Sequence, residues 1–288
     1  MKILISLALA FMCSIGSFPI IANNTDKPIY YGDGYNGAIM TGTETETITY
    51  TLKDETEYAI KGGLPTYYDT STRPKTCANV AGATILGYYD KTYDELIPDF
   101  TSARVIRDKV IYLAQNGAVQ AVIDNLYSLM ETNSTSSGGT SVSGFQNGLR
   151  KYVNGKGRNI TYSVTGQNNQ LNKLAYIQSV QNNRPIALFV SKYSLIPILD
   201  FSISETQDKL EKKHFSGNHV LIGYGLKEIN YYNSNGTLKK QLTLLMVATG
   251  FRQEPLYYIE LDSNSGMIES YSVNVYWGVK NGKVWKKN

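Results

Sequence analysis

Residues 76–98 read TCANVAGATILGYYDKTYDELIP. Pro74 stands just upstream, and Thr76 is a residue type that caps helices. Cys77, Ala81, Ile85 and Tyr88 recur at helical spacing on one stripe. The spacing predicts a helix from Cys77 to about Tyr89, ending before the Lys91–Pro98 connection. Cys77 then falls in the first turn, at the positive end of the helix dipole, where a thiolate is favoured and a thiol becomes more nucleophilic.

The cysteine count sharpens that reading. The chain has two cysteines, Cys13 and Cys77. The first lies in a segment that reads as an export signal over residues 1–22: Lys2, an apolar run from Ile3 to Cys13, then Ile20-Ile21-Ala22 ahead of Asn23. Ser14, Gly16, Ser17 and Pro19 break the run too early for a membrane span. Met12 before Cys13 argues against a lipoprotein site. Removal of the signal leaves Cys77 alone, in an exported protein where thiols ordinarily pair. Such a cysteine is either a small buried hydrophobe or a reactive nucleophile.

Working outward, residues 23–62 are Thr- and Tyr-rich, and ETETITYTL (44–52) alternates as a half-buried strand does. They are either the first strands of the domain or a pro-segment, and 63–288 is read as the main domain. Ser102–Met130 is predicted helical with a break at Asn116-Gly117, and helices are expected near 142–153 and 171–181. The later sequence changes period. Residues 185–190, 219–224, 241–247 and 257–261 read as strands, with a turn at 233–236. Helices followed by strands define an α+β chain.

A thiol nucleophile needs a base, and the only histidines are His214 and His219. His219 opens the apolar run HVLIGYG, where a strand would hold its ring. His214, in EKKHFSG, reads as a solvated loop residue. A cysteine at a helix start with a remote histidine at a strand start is the pattern of a Cys–His hydrolase.

TCANVAGATILGYYDKTYDELIP resembles the nucleophile helix of bacterial papain-like cysteine peptidases of the streptopain and bacteriocin-leader-processing kinds. SGNHVLIGYG (216–225) resembles their histidine strand. IQSVQNNRPIALFV (177–190) and GFQNGLRKYVNGKG (144–157) are similar to elements between the two, so the likeness spans about Gly63 to Asp262. It implies a papain-like fold, a helical half carrying the Cys helix packed on an antiparallel β half carrying the His strand. It also implies a secreted peptidase acting on peptide or protein substrates. Two departures stand out. The glutamine that usually precedes the cysteine and lines the oxyanion hole is absent between Asn23 and Cys77, with Ser71 near its place and Thr72 or Asn79 as substitutes. The position that orients the histidine falls on Ala248 and Thr249 of LLMVATGF, so Asp262 is taken as the third catalytic member beside Cys77 and His219. Tyr193 and Leu195 are expected to line a side-chain pocket.

The same pair also suits a peptidoglycan-cleaving hydrolase or a transamidase. The missing glutamine leaves room for an inactive binding protein, and a lone exported cysteine for a thioester-forming surface module. The net charge of +4, with no basic cluster before the terminal lysines, excludes a nucleic-acid footprint. No ligand spacing for a metal and no phosphate-cradling motif is found, so no cofactor is expected. No later segment is apolar enough to insert stably in a membrane.

Overall fold

The computed structural model describes residues 38–280 and 283–284, apart from Thr72, Ser136, Ser137, Leu199, Glu254 and 261–265. In chain order the elements are β1 (Ile39–Thr49), β2 (Leu52–Ala59), α1 (Cys77–Asp90), β3 (Ala103–Ile106), β4 (Lys109–Tyr112), α2 (Gly117–Leu129) and α3 (Val142–Gly155). Then follow β5 (Arg158–Gln167), β6 (Gln170–Leu171), α4 (Lys173–Gln181), β7 (Ile186–Pro197), β8 (Ser202–Ser204) and β9 (Gln207–Tyr232). The last are β10 (Leu238–Ala248), β11 (Leu256–Glu260), β12 (Met267–Trp277), β13 (Val279–Lys280) and β14 (Lys283–Val284).

Antiparallel sheet dominates, and the expectation of an α+β, papain-like division into a helical half and a β half is corrected. A ten-stranded sheet runs β1-β9-β10-β11-β7-β12-β5-β6, with β2 and β8 also on β9. Because β7 pairs directly with β9 as well, β9, β10, β11 and β7 close into a ring. Two local readings explain the difference. The stretch VIRDKVIY (105–112) has apolar residues at helix-like intervals, yet it folds as the β3–β4 hairpin, turning on Arg107 and Asp108, both at positive φ. Two consecutive left-handed residues make the tight turn that matches strand twist. The charged EKKHFSG, read as loop, belongs to a 26-residue strand. Its charges are cross-strand partners: Lys212 pairs with Glu46 of β1 at 2.9 Å and with Glu260 of β11.

The strands on either side of residue 62 share one sheet, since β1 and β2 both lie antiparallel on β9. Their junction is pinned by Asp208, whose side chain is fully buried. It accepts from Tyr50 Oη at 3.0 Å, Tyr231 Oη at 2.9 Å, Lys53 Nζ at 3.0 Å and Ser202 Oγ at 3.2 Å. Burial alone would raise its pKa, but the hydrogen bonds from Lys53, Tyr231 and Tyr50 outweigh that and hold it below the ordinary carboxylate value.

α1 lies against the sheet with every residue from Ala78 to Asp90 buried, which is why its sequence is apolar and small on all sides rather than on one stripe. Gly82 lets Met130 and Leu126 approach, with a Cβ there falling 2.9 Å from Met130 Cε. Among the described residues no helix is long and apolar enough to cross a membrane.

Removing one partner of a buried, hydrogen-bonded ion pair costs about 3–5 kcal/mol. Asp208→Ala should therefore lower the urea unfolding free energy by about that much. It should also open the β1–β2 junction at Tyr50-Thr51 to limited proteolysis. Unchanged stability would show that the pin is dispensable.

Candidate active site

The approach to Cys77 is irregular over residues 68–71 and 73–76 and is fastened by side chains to α2 and the residues just before it. Gln115 accepts from Tyr68 N at 2.8 Å and donates to Tyr68 O at 2.9 Å. Gln120 accepts from Thr70 N at 2.8 Å and donates to Asp69 Oδ1 at 2.8 Å. Arg73 forms an ion pair with Asp124 and lies over the Tyr127 ring, 4.8 Å from its centroid. Lys75 takes a left-handed conformation, φ 58°, and Thr76 then enters the helix. Thr76 is the N-cap residue, but its side chain makes no capping hydrogen bond; its hydroxyl is spent on Asp69. Cys77 is a half-buried thiol at the first position of α1.

His219 is placed by a bulge. Val190 pairs with His219 and Lys192 with Ser216, so Gly217 and Asn218 on β9 face Ser191 alone on β7. Gly217 sits at φ 101°, open to glycine at no steric cost. Bulges re-aim side chains, commonly beside active sites, and here the bulge immediately precedes the imidazole. The ring is 2 % exposed. Phe251 stacks on it at 4.7 Å and Tyr193 at 5.8 Å.

Its hydrogen bonding is one-sided. Nε2 lies 2.8 Å from the backbone oxygen of Thr249. A carbonyl only accepts, so the neutral ring carries its proton on Nε2 and presents a bare lone pair at Nδ1. Nδ1 is buried and has no hydrogen-bond partner among the described residues. Burial pushes the imidazole pKa down to about 4, against a smaller upward pull from Thr249 O. At neutral pH the group is an uncharged proton acceptor.

The two halves of the site share neighbours. Tyr193, stacked on His219, also feels the charge of Cys77. Gly250, which follows the orienting Thr249, packs on Val80 one turn into α1, its would-be Cβ 3.3 Å from Val80 Cγ1. Thr249 is itself fixed, its N–H on Pro255 O at 3.0 Å and its hydroxyl accepting from Phe251 N at 3.0 Å. A groove of about 680 Å³ between α3 and the residues ahead of it, 131–135 and 138–141, reaches Asn218, the residue before His219. That stretch also touches the cysteine side, since Gly138 packs on Lys75. Arg150, Lys151, Asn147 and Asn154 give the groove a polar wall.

Several expectations change. The histidine orienter is the Thr249 main-chain carbonyl, a group that carries no signature in the sequence; Asp262 lies outside the described residues. Asn79 is no oxyanion donor, because its amide is fully buried and donates to Thr132 Oγ1 at 3.0 Å and Met130 Sδ at 3.3 Å. Ser71 is engaged with Asp69 at 2.9 Å and with Arg73 N at 3.2 Å, and Thr72 is outside the described residues. Leu195, expected with Tyr193 to line a pocket, is a core residue at 0 % exposure; Tyr193 is buried beside the imidazole. His214 is half-buried on the sheet, with Ser194 Oγ at 2.8 Å from Nδ1 and Glu44 at 3.3 Å from Nε2. Gln115 and Gln120 went unnoticed in the sequence, because they act on a segment about 50 residues away. No family model matches the chain, and comparison with curated proteins finds no match.

The depressed His219 pKa links stability to pH. The unfolded imidazole binds a proton below about 6.5 while the folded one does not until about 4. Stability from this group is therefore full above pH 6.5 and falls away as the pH drops toward 4, by about 3 kcal/mol in all. Asp90, buried and raised to about 6, contributes with the opposite sign. The difference between wild type and His219→Gln isolates the imidazole: the wild type should lose more stability between pH 7 and pH 4 in urea titrations. Parallel pH profiles would mean that the ring is open to water.

Proposed function

We propose that the chain is an exported cysteine peptidase, hydrolysing peptide bonds with Cys77 as nucleophile and His219 as base. The observation that carries the reading is the buried imidazole whose Nδ1 lone pair is unused while Nε2 is locked on Thr249 O. An apolar pocket built only for stability gains nothing from an unsatisfied nitrogen, which costs about 1–3 kcal/mol. A base waiting for a proton needs one.

In this mechanism His219 Nδ1 takes the thiol proton as Cys77 Sγ attacks the carbonyl carbon of the scissile amide. The C–S bond forms, and the carbonyl π pair moves to oxygen. The oxyanion collapses, the C–N bond breaks, and His219 gives its proton to the departing amine. Water, deprotonated by the same nitrogen, then cleaves the thioester and restores the thiol. The Nε2–H···O=C bond to Thr249 keeps the ring in register through both halves and favours the transient imidazolium. The polar groove from Asn218 along α3 offers room for an extended peptide. Export rests on the reading of residues 1–22, which lie outside the described residues.

Fluorescein-labelled casein tests the proposal. Cys77→Ala should abolish cleavage, and His219→Gln should lower it by about 10²–10⁴-fold, the usual worth of a positioned general base. Iodoacetamide should add one carbamidomethyl group at Cys77 by intact mass, more slowly in the His219 variant. The acid limb of kcat/KM should lie near pH 4, where the imidazole gains its proton. Casein cleavage that persists in Cys77→Ala sinks the reading.

A further inference from the structure

The site as described lacks a side-chain donor for the oxyanion. No glutamine precedes Cys77, and Asn79 and Ser71 are committed elsewhere. Such a donor is worth roughly 3 kcal/mol, or about a hundredfold in rate. The reacting carbonyl must sit between Cys77 and His219, and Tyr193 is the polar residue stacked on that imidazole.

Tyr193 stands on β7, its ring parallel to that of Phe215 (5.2 Å, 6°) and stacked on the His219 imidazole (5.8 Å, 17°). These contacts fix the ring plane. The hydroxyl at its end is buried and has no hydrogen-bond partner among the described residues. A phenol in a core normally finds a partner for its O–H. Tyr89, Tyr152 and Tyr176 each do so here, on Val273 O, Leu96 O and Gly225 O, whereas the hydroxyls of Tyr67 and Tyr193 do not. The Tyr193 hydroxyl instead lies where the charge of Cys77 is felt. Two orphaned polar atoms, His219 Nδ1 and Tyr193 Oη, thus belong to two stacked rings, and the Cys77 charge acts on the second of them. One is an acceptor and the other a donor, as a thiol proton and a developing oxyanion require.

We propose that the Tyr193 hydroxyl is the side-chain donor that hydrogen-bonds the substrate carbonyl oxygen as it becomes an oxyanion, in the role that glutamine takes in resembling enzymes. The proposal rests on the peptidase reading above. No bond to Tyr193 forms or breaks; its O–H donates while the carbonyl π pair resides on oxygen and is released when the carbonyl re-forms. Burial, and next the Cys77 charge, hold the phenol well above its ordinary pKa, so the donor keeps its proton throughout the working range.

Tyr193→Phe keeps the stacked ring and removes only the donor. Cleavage of fluorescein-casein should fall about 10²-fold in kcat with a much smaller change in KM. The peptide aldehyde leupeptin, which traps a thiolate as a hemithioacetal oxyanion, should bind about 10²-fold more weakly. Alkylation of Cys77 by iodoacetamide, a displacement with no oxyanion, should proceed at nearly the wild-type rate. A purely structural tyrosine predicts otherwise: kcat and leupeptin affinity unchanged, or lowered together with the alkylation rate and the melting temperature. Either pattern overturns the assignment. A Cys77-dependent activity that survives Tyr193→Phe removes this assignment alone, whereas casein cleavage that is absent or independent of Cys77 removes the peptidase reading beneath it.

Discussion

The structure depends on how β9 is partnered along its length. Residues 207–216 pair with β1 on one side, 213–216 and 219–223 with β7 on the other, 222–232 with β10 and 225–232 with β2. A strand committed to so many neighbours has little freedom of register, because a slip by one residue would turn every side chain to the opposite face. One irregularity on the β7 side is the bulge at Gly217-Asn218, where two residues of β9 oppose one of β7. Register is rigid on both sides of this irregularity. The imidazole that follows it is therefore set by the whole sheet rather than by its own loop.

Two treatments of buried polar groups stand side by side on this strand. Asp208, eleven residues before His219, has two phenols, an ammonium and a hydroxyl around it, and its charge is balanced. His219 and Tyr193 are as deeply placed, yet one atom of each is left unmatched. Chains that satisfy their buried groups this fully in one region do not lack means in another. The contrast is between a closed network that joins β1, β2 and β9 and two unmatched atoms on stacked rings, and it is the main physical reason for proposing a site at the second.

The sequence carried part of this. The Cys77 helix begins at the expected residue, although the Thr76 side chain does not cap it, and the run at His219 is a strand as expected. Class was harder. Val105, Ile106, Val110 and Ile111 fit helical and strand spacing alike, and the turn at Arg107-Asp108 uses residues with no strong turn signature. Lys212 and Lys213 read as solvated because their counter-charges, Glu46 and Glu260 for Lys212, lie far off in the chain. The β3–β4 hairpin pairs locally and is hidden by ambiguous spacing, whereas the strand at EKKHFSG is hidden because its partners are remote.

The remaining parts of the proposed site are invisible in the sequence for a different cause. A side-chain orienter or donor leaves a letter in a motif, whereas a main-chain carbonyl does not. Thr249 was dismissed because its side chain is a poor orienter, and its side chain is indeed occupied elsewhere, accepting from Phe251 N. What matters is that its N–H is tied to Pro255 O and the next residue, Gly250, is left-handed at φ 76° and rests on Val80. The carbonyl is thereby aimed as firmly as an amide side chain could be. Tyr193 was noticed as a pocket residue, but periodicity gives only the face of a strand, not whether a hydroxyl finds a partner there. Motif reading is thus blind in one direction: it detects the chemistry of letters and misses chemistry done by the backbone or by an ordinary core residue at an unsatisfied position. An orienter built from backbone also tolerates change at its own side chain, so constraint moves to the turn that holds it, 249–255, and to the glycine that lets it approach the helix.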